Sequence, residues 1–390
     1  MKMRSAAPLP RWLWRLLIAM TLTQVAAFLV RPALTYRALE LGADDVYVGL
    51  LVAIYAFLPA LLAVPIGRYT DRHRPGPVFI AGTGLLGIGS AGLAVAPSLA
   101  TVAAATVVLG LGAMTIMVGA QSIVALMSTE DTLDRDFGLT TAAAAIGQMI
   151  GPLGTGWILT GERGPTGTLT AFACGAVLCV LASAFTFGFP DHRRPAPDAP
   201  PPQWRETMSI LRIPGVPGAM TASMVLLATV DLLVAYLPVI GERAGIGAGV
   251  VGILLSLRAA ASVGSRVLLG RLARRFSRRR LITASTLVTA VLVPAIAFVS
   301  NPWALGGLLV VLGFFLGLGQ PLTMTLITTA VPATSRGAAL AIRMLGNKAG
   351  QVGVPAFIAA TTAVVGIGGG FALLGAIVAA ATYAASRRHG

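Results

Sequence analysis

The chain is 390 residues long, 56% apolar and only 11% charged, with a mean hydropathy of +0.83. A soluble domain carries about 25% charged residues, so a soluble enzyme, a secreted scaffold and a disordered protein are excluded. The net charge of +15 comes as short basic clusters between long apolar runs. That is how a membrane protein meets the cytoplasmic face, not how a nucleic-acid-binding domain is built.

A spanning helix needs about 20 apolar residues. Twelve runs qualify: 13–36, 47–66, 77–96, 100–126, 138–160, 168–188, 217–240, 247–269, 281–300, 303–329, 338–360 and 366–386. The first follows Lys2, Arg4, Arg11 and Arg15, is too long for a cleaved signal core, and is read as helix one. It carries Arg31; helix two carries Tyr55, helix four Gln121 and helix five Gln148. In helix six Cys174 and Cys179 lie five apart, which points them to different faces and forbids a bond between them within the helix. His73, His192 and His389 sit in polar stretches or at the tail, so no metal cluster is available and no cofactor is implied.

The proline-dense stretch 190–214 reads as an extended linker between an N-terminal half, 1–189, and a C-terminal half, 215–390. Helix seven carries Asp231, the one carboxylate at membrane depth, and helix eight carries Arg258. Helix ten carries Gln320. Helix eleven carries Arg343, Asn347, Lys348 and Gln351, of which 343, 347 and 351 are spaced i, i+4, i+8 and form one stripe. The glycines between Gly366 and Gly370 blur the start of the last run.

Of the 29 Lys and Arg residues, Arg37, Arg163 and Arg243 fall on one side and Arg31, Arg258, Arg343 and Lys348 within helices. The rest fall on the side of the two termini or at its border. Both termini and the linker are therefore expected in the cytoplasm of a prokaryotic cell, the chain being a multi-pass inner-membrane monomer.

The halves read as repeats. A shift of 203 carries Gly42 onto Gly245, Val48-Gly49 onto Val251-Gly252, Gly67-Arg68 onto Gly270-Arg271, Tyr55 onto Arg258 and Phe28 onto Asp231. A shift of 199 carries Gly138, Gly147, Gly151 and Gly154 onto Gly337, Gly346, Gly350 and Gly353, and Gln121 and Gln148 onto Gln320 and Asn347. Parallel six-helix halves imply a carrier that rocks about a central site.

Two local patterns stand out. The loop between helices two and three reads Gly67-Arg-Tyr-Thr-Asp71-Arg72-His-Arg-Pro75, and helix five reads Gly138, then Gly147-Gln-Met-Ile-Gly151-Pro152-Leu-Gly154-Thr155-Gly156. Glycines four apart allow close helix approach and Pro152 removes a backbone N–H, so a tight, hinged seam between the halves is expected there.

With twelve helices, a central linker and these motifs, the sequence resembles the major facilitator superfamily along its whole length. Its helix five is similar to that of the drug/proton antiporters, with Thr155 in place of one glycine. The first resemblance implies an all-α fold of two pseudo-symmetric six-helix bundles, and a latch of the outward-open state at Gly67, Asp71 and Arg72. It also implies that helices one and seven face each other across the cavity. Asp231 and Arg31 would then lie three residues, about 4.5 Å, apart in depth, within reach of an arginine. A carboxyl held between desolvation and a cation is able to exchange a proton, so the pair is the expected coupling site, with Glu40 next in line. A permanent ion pair that only fixes packing is the alternative.

Arg258, Arg343, Lys348, Asn347, Gln351, Gln121, Gln148, Gln320 and Tyr55 are the expected cavity residues, since polar groups at depth are costly. Snorkelling of the four cations, and structural bonds between helices for the glutamines, are the rival explanations. Three functions fit: proton-coupled antiport that exports a small organic solute, proton-coupled import of an anion, and a membrane scaffold or sensor that transports nothing. The helix-five motif favours export; four cations against one acid favour an anionic or carboxylate-bearing solute. No enzyme constellation lies at depth.

Overall fold

In a computed structural model, residues 9–72, 74–129, 132–161, 164–186, 209–213, 215–331 and 336–387 are described. The first half comprises α1 (Arg11–Glu40), α2 (Asp45–Arg72), α3 (Pro75–Ala94), α4 (Leu99–Met127), α5 (Leu133–Gly161) and α6 (Pro165–Ala184). After a 3-10 turn at Ile210–Arg212 come α7 (Val216–Arg243), α8 (Ala248–Arg275), α9 (Arg278–Ile296) and α10 (Pro302–Thr329). The last helical stretch, Arg336–Arg387, breaks at Gly366, whose φ of 71° and ψ of 174° only glycine adopts readily. It divides into α11 (336–365) and α12 (367–387). The described residues thus form an all-α membrane protein of twelve apolar helices, and the blurred start of the twelfth run is this glycine break. Nearly all of the 190–214 linker lies outside the described residues.

Helices end where the sequence changes chemistry. Ser98 closes a capping box with Thr101 at the start of α4, and Asn301 accepts from the N–H groups of Trp303 and Ala304 at the start of α10. Gly42 and Gly245 follow α1 and α7 with φ of 81° and 69°, the left-handed turn expected after a helix C-terminus.

Within the first half α1 packs on α5 and α6, α3 on α4 and α6, and α2 on α4; in the second half α8 and α9 pack on α10. The halves meet through α5 on α8, α1 on α7, and α2 on the Arg336–Arg387 pair. Small residues make these approaches possible. A Cβ on Gly110 would lie 2.0 Å from the Tyr55 carbonyl oxygen, and one on Gly313 would lie 2.2 Å from the Arg258 carbonyl oxygen. Gly49 abuts Ala359 as Gly252 abuts Gly156.

All of these contacts are related by a shift of 203, including those of α5 and α11. The shift of 199 is therefore one turn out for these helices: Gly147 corresponds to Gly350, and Gln148 to Gln351. A four-residue slip returns to nearly the same helix face, so a Gly-x3-Gly series matches itself in either register.

Candidate functional site

Asp231 on α7 is 7% exposed. Its Oδ1 accepts from Arg31 Nη2 on α1 at 2.7 Å, and its Oδ2 accepts from Gln351 Nε2 on α11 at 2.7 Å. Gln351 Oε1 accepts in turn from Lys348 Nζ at 3.0 Å. One carboxylate thereby ties the first half to two helices of the second. The Arg31 guanidinium carbon also lies 4.7 Å from the Tyr55 ring centroid and 5.4 Å from that of Phe28. Aromatic faces hold a cation without neutralising it, so Arg31 stays positioned whether or not Asp231 is its partner.

Arg258 enters this layer from the other half. It is 1% exposed, its Nε has no hydrogen-bond partner, and its side chain makes no hydrogen bond or ion pair among the described residues. Arg258 and Lys348 each feel the attraction of Asp231 and the repulsion of Arg31. The layer therefore sets three cations against one carboxylate, an arrangement that is costly at membrane depth unless something anionic completes it.

The stripe expected on α11 divides between two levels. Gln351 joins Asp231, whereas Arg343, two turns earlier, donates through Nη1 to Ser223 Oγ at 3.1 Å and Gln320 Oε1 at 3.0 Å. Gln320 Nε2 closes the triangle on the Ser223 carbonyl at 3.0 Å. These partners hold Arg343 inside the second half. Asn347, between the two levels, is 7% exposed with Oδ1 unpartnered. Gln148 is half-buried and Gln121 exposed, and neither makes a side-chain hydrogen bond among the described residues.

The glycine face of α5 serves a different neighbour from the one expected. A Cβ at Gly147 would meet Gln24 Cβ at 2.4 Å, and one at Gly151 would meet the Phe28 carbonyl carbon at 2.6 Å. Both glycines seat α5 on α1 of the same half. The seam with α8 runs along the adjacent face, where the Pro152 carbonyl and Gly156 meet Gly252, and Thr160 meets Gly249. Glycine spacing identifies a close approach but not its partner: Gly147 and Gly151 share one face, and Pro152 and Gly156 lie about 100–140° around the helix from Gly151 on another.

Pro32 and Pro152 each weaken the helix hydrogen bonds of the preceding turn, and neighbouring hydroxyls take up the carbonyls three residues before them. Thr155 Oγ1 donates to the Leu29 carbonyl at 2.5 Å, and Ser256 Oγ donates to the Met149 carbonyl at 2.7 Å. Polar neighbours of this kind let proline reside in a spanning helix. Thr155, which replaces a motif glycine, thus has a task of its own.

The site is sealed on the face away from the chain termini. Arg243 pairs with Asp45, and Tyr236 Oη donates to the Asp45 carbonyl at 3.1 Å, joining α7 to α2. Below this seal a small cavity of about 20 Å³ is lined by Leu34, Thr35, Val48, Val52, Val234 and others, with Arg31 and Tyr55 at its floor. Among the described residues, the close contacts between halves run from this far face to the Asp231 layer and Ser256, and no comparable set joins the halves toward the termini. Gly67 has open space where a Cβ would sit, while the side chains of Asp71 and Arg72 lie outside the described residues. Glu40 is engaged at the far end of α1 by Arg37 and Thr168. Ser223, Ser256, Asp45 and Tyr236 are not among the residues expected from the sequence, where Phe28 stands only as the repeat partner of Asp231 and Arg243 only as a charge on the far side; the prolines three residues after Leu29 and Met149 are the sequence signal for Thr155 and Ser256.

The sequence matches the Major Facilitator Superfamily profile over residues 16–249 and 219–388. It is 26% identical over 343 residues to the tetracycline resistance protein, class C, of Escherichia coli, covering 81% of both chains. It is 29% identical over 139 residues to the inner membrane transport protein YajR of Escherichia coli strain K12, an alignment that spans only 29% of that protein. Among solved structures, a POT family transporter in complex with 5-aminolevulinic acid superposes with a TM-score of 0.75 at 13% identity, covering 98% of this chain and 97% of the other. A bacterial homolog of the human lysosomal transporter Spinster, inward-facing and unoccupied, gives 0.72 at 15% identity with 98% of both chains covered.

Proposed function

Because the chain belongs to the Major Facilitator Superfamily, a family of transporters rather than enzymes, we propose that it is a proton-coupled antiporter exporting a small organic solute with an anionic group. The observation that carries the proton coupling is the Arg31–Asp231–Gln351 bridge between the halves. While Asp231 is ionised it holds Arg31. When it takes a proton it releases Arg31, whose guanidinium is still held by Tyr55 and Phe28; the pair supplies the proton site in this reading, and the direction of coupling comes from the likeness that follows. Export is supported by the likeness to the tetracycline resistance protein over most of both chains. With the termini in the cytoplasm of a bacterial inner membrane, the closed far face is the outer one and the geometry is that of an inward-facing carrier. Gln320, Arg343, Asn347, Lys348 and Gln351 line its path, with Gln148 and Gln121 nearer its edge, and Asp71 and Arg72 act at the cytoplasmic end of α2. The protein works as a monomer.

A second reading, proton symport, is favoured by one observation: three cations share one carboxylate. Protonating Asp231 while an anion binds Arg31 leaves the charge of the layer unchanged, which is the signature of co-binding. Purified protein in liposomes loaded with a pH-sensitive dye separates the two. Under a pH step, solute moving against the proton flux supports antiport, and solute moving with it supports symport. Proton flux indifferent to every anionic and cationic solute would remove both.

A further inference from the structure

The most conspicuous group left idle by this scheme is Arg258. Its backbone is pinned by Gly313 as that of Tyr55 is pinned by Gly110. Since the two residues are repeat-related, Arg258 projects into the central layer from the second half as Tyr55 does from the first. Tyr55 lies against Arg31 there. Among the described residues Arg258 is the largest fully buried side chain, and it has no hydrogen-bonding partner there. A guanidinium offers five donors in a fixed fork suited to a carboxylate or phosphate. Arg258 Nε is fully buried without an acceptor, and a buried donor left unmade costs more than folding ordinarily tolerates. Asp231 does not answer this need: it accepts from Arg31 and Gln351 and makes no hydrogen bond to Arg258. Asn347 Oδ1 is a buried acceptor still without a donor.

We propose that Arg258 is a second anion-binding residue of the central site, so that the transported solute carries two anionic groups, one received by Arg31 and Lys348 and the other by Arg258. The proposal rests on the anionic-solute reading above and narrows it to dianions. With Asp231 protonated, a dianion bridging Arg31 and Arg258 ties α1 to α8 across the halves, replacing the tie from α1 to α7 that the protonated carboxyl has given up.

The test uses purified full-length protein and simple probes: the monocarboxylates butyrate and benzoate, and the dicarboxylates succinate, adipate and terephthalate. Binding is read by calorimetry with Asp231→Asn standing in for the protonated carrier, alone and combined with Arg258→Met or Arg258→Gln. The best dicarboxylate should bind about 10–100-fold more tightly than the monocarboxylates, the value of one further charge-assisted contact. Either Arg258 variant should abolish that advantage, so that dicarboxylates and monocarboxylates bind within about twofold of each other. Without ligand, in the wild-type background, both variants should melt about 2–4 °C above wild type, since an unpaired buried charge has been removed. A dicarboxylate advantage that is absent, or that survives both variants, overturns the second site alone. Failure of every probe to bind overturns the anionic-solute reading with it. Variants that melt lower or do not fold assign Arg258 a packing role and overturn the proposal.

Discussion

Gly252→Ala is a direct lever on the closed far face. Its Cβ would stand 2.4 Å from the Pro152 carbonyl oxygen and 3.0 Å from the Gly156 Cα. A carbon–oxygen contact settles at about 3.3 Å, so the two backbones must part by close to 1 Å. Neither contact atom belongs to a flexible side chain, so nothing nearby absorbs the strain, and overpacking of this kind costs about 1–3 kcal/mol. The strain exists only while α5 and α8 are closed on the far face. It therefore acts on the equilibrium between the two openings and shifts it about 5–150-fold toward the far-open state. Labelling of a single cysteine at Val52, in the cavity below the seal, by a membrane-impermeant reagent added on the far side reads this shift once Cys174 and Cys179 are replaced. Accessibility should rise at least about fivefold in Gly252→Ala. Gly264→Ala, where a Cβ meets open space, is the matched control and should leave labelling unchanged. Wild-type labelling in Gly252→Ala would refute the seam as a moving contact.

The remaining predictions separate packing from gating. Gly151→Ala places a Cβ 2.6–2.7 Å from backbone atoms of Phe28 and Leu29 in the same half, so it should lower the melting temperature, at a cost of about 1–3 kcal/mol, without changing labelling at Val52. Thr155→Val should cost about 1–3 kcal/mol in a thermal or denaturant melt, because the buried Leu29 carbonyl loses its donor at similar side-chain volume. Asp45→Asn breaks a pair whose Arg243 side chain is 59% exposed, and should raise Val52 labelling by no more than about fivefold, in line with the small worth of exposed ion pairs. Single cysteines at positions 163 and 243 should react from outside the cell and one at position 200 only from inside; reversal at two of the three would invert the topology.

Much of this architecture is legible in the sequence because the bilayer leaves few options. Runs of about 20 apolar residues become helices, and a charge among them is conspicuous. Asp231 could be matched with Arg31 because the shift of 203 fixes relative depth and an arginine is long enough to bridge three residues of rise; the two meet at 2.7 Å. Lateral neighbours were less legible. Gly147 and Gly151 announce a close approach, yet only the packed bundle shows that α1 receives them. Arg343 and Gln351 share a face of α11 but stand at different levels, and partners on other helices, Ser223 and Gln320 for one and Asp231 for the other, divide them. The shift of 199 failed for a related reason: glycines repeated every helical turn carry no unique register, whereas the unrepeated pairs Tyr55–Gly110 and Arg258–Gly313 do.

Asp231→Asn in proteoliposomes tests the central claim, that Asp231 exchanges a proton for its hold on Arg31. With a solute that the wild-type protein concentrates under a pH step, the variant should fold, bind and exchange that solute between equal pools, because Arg31 remains held by Tyr55 and Phe28. It should lose accumulation driven by the pH step and the accompanying proton flux. Accumulation at the wild-type level in Asp231→Asn would contradict the account and move the proton site elsewhere, with Glu40 at the far end of α1 the next carboxylate to examine.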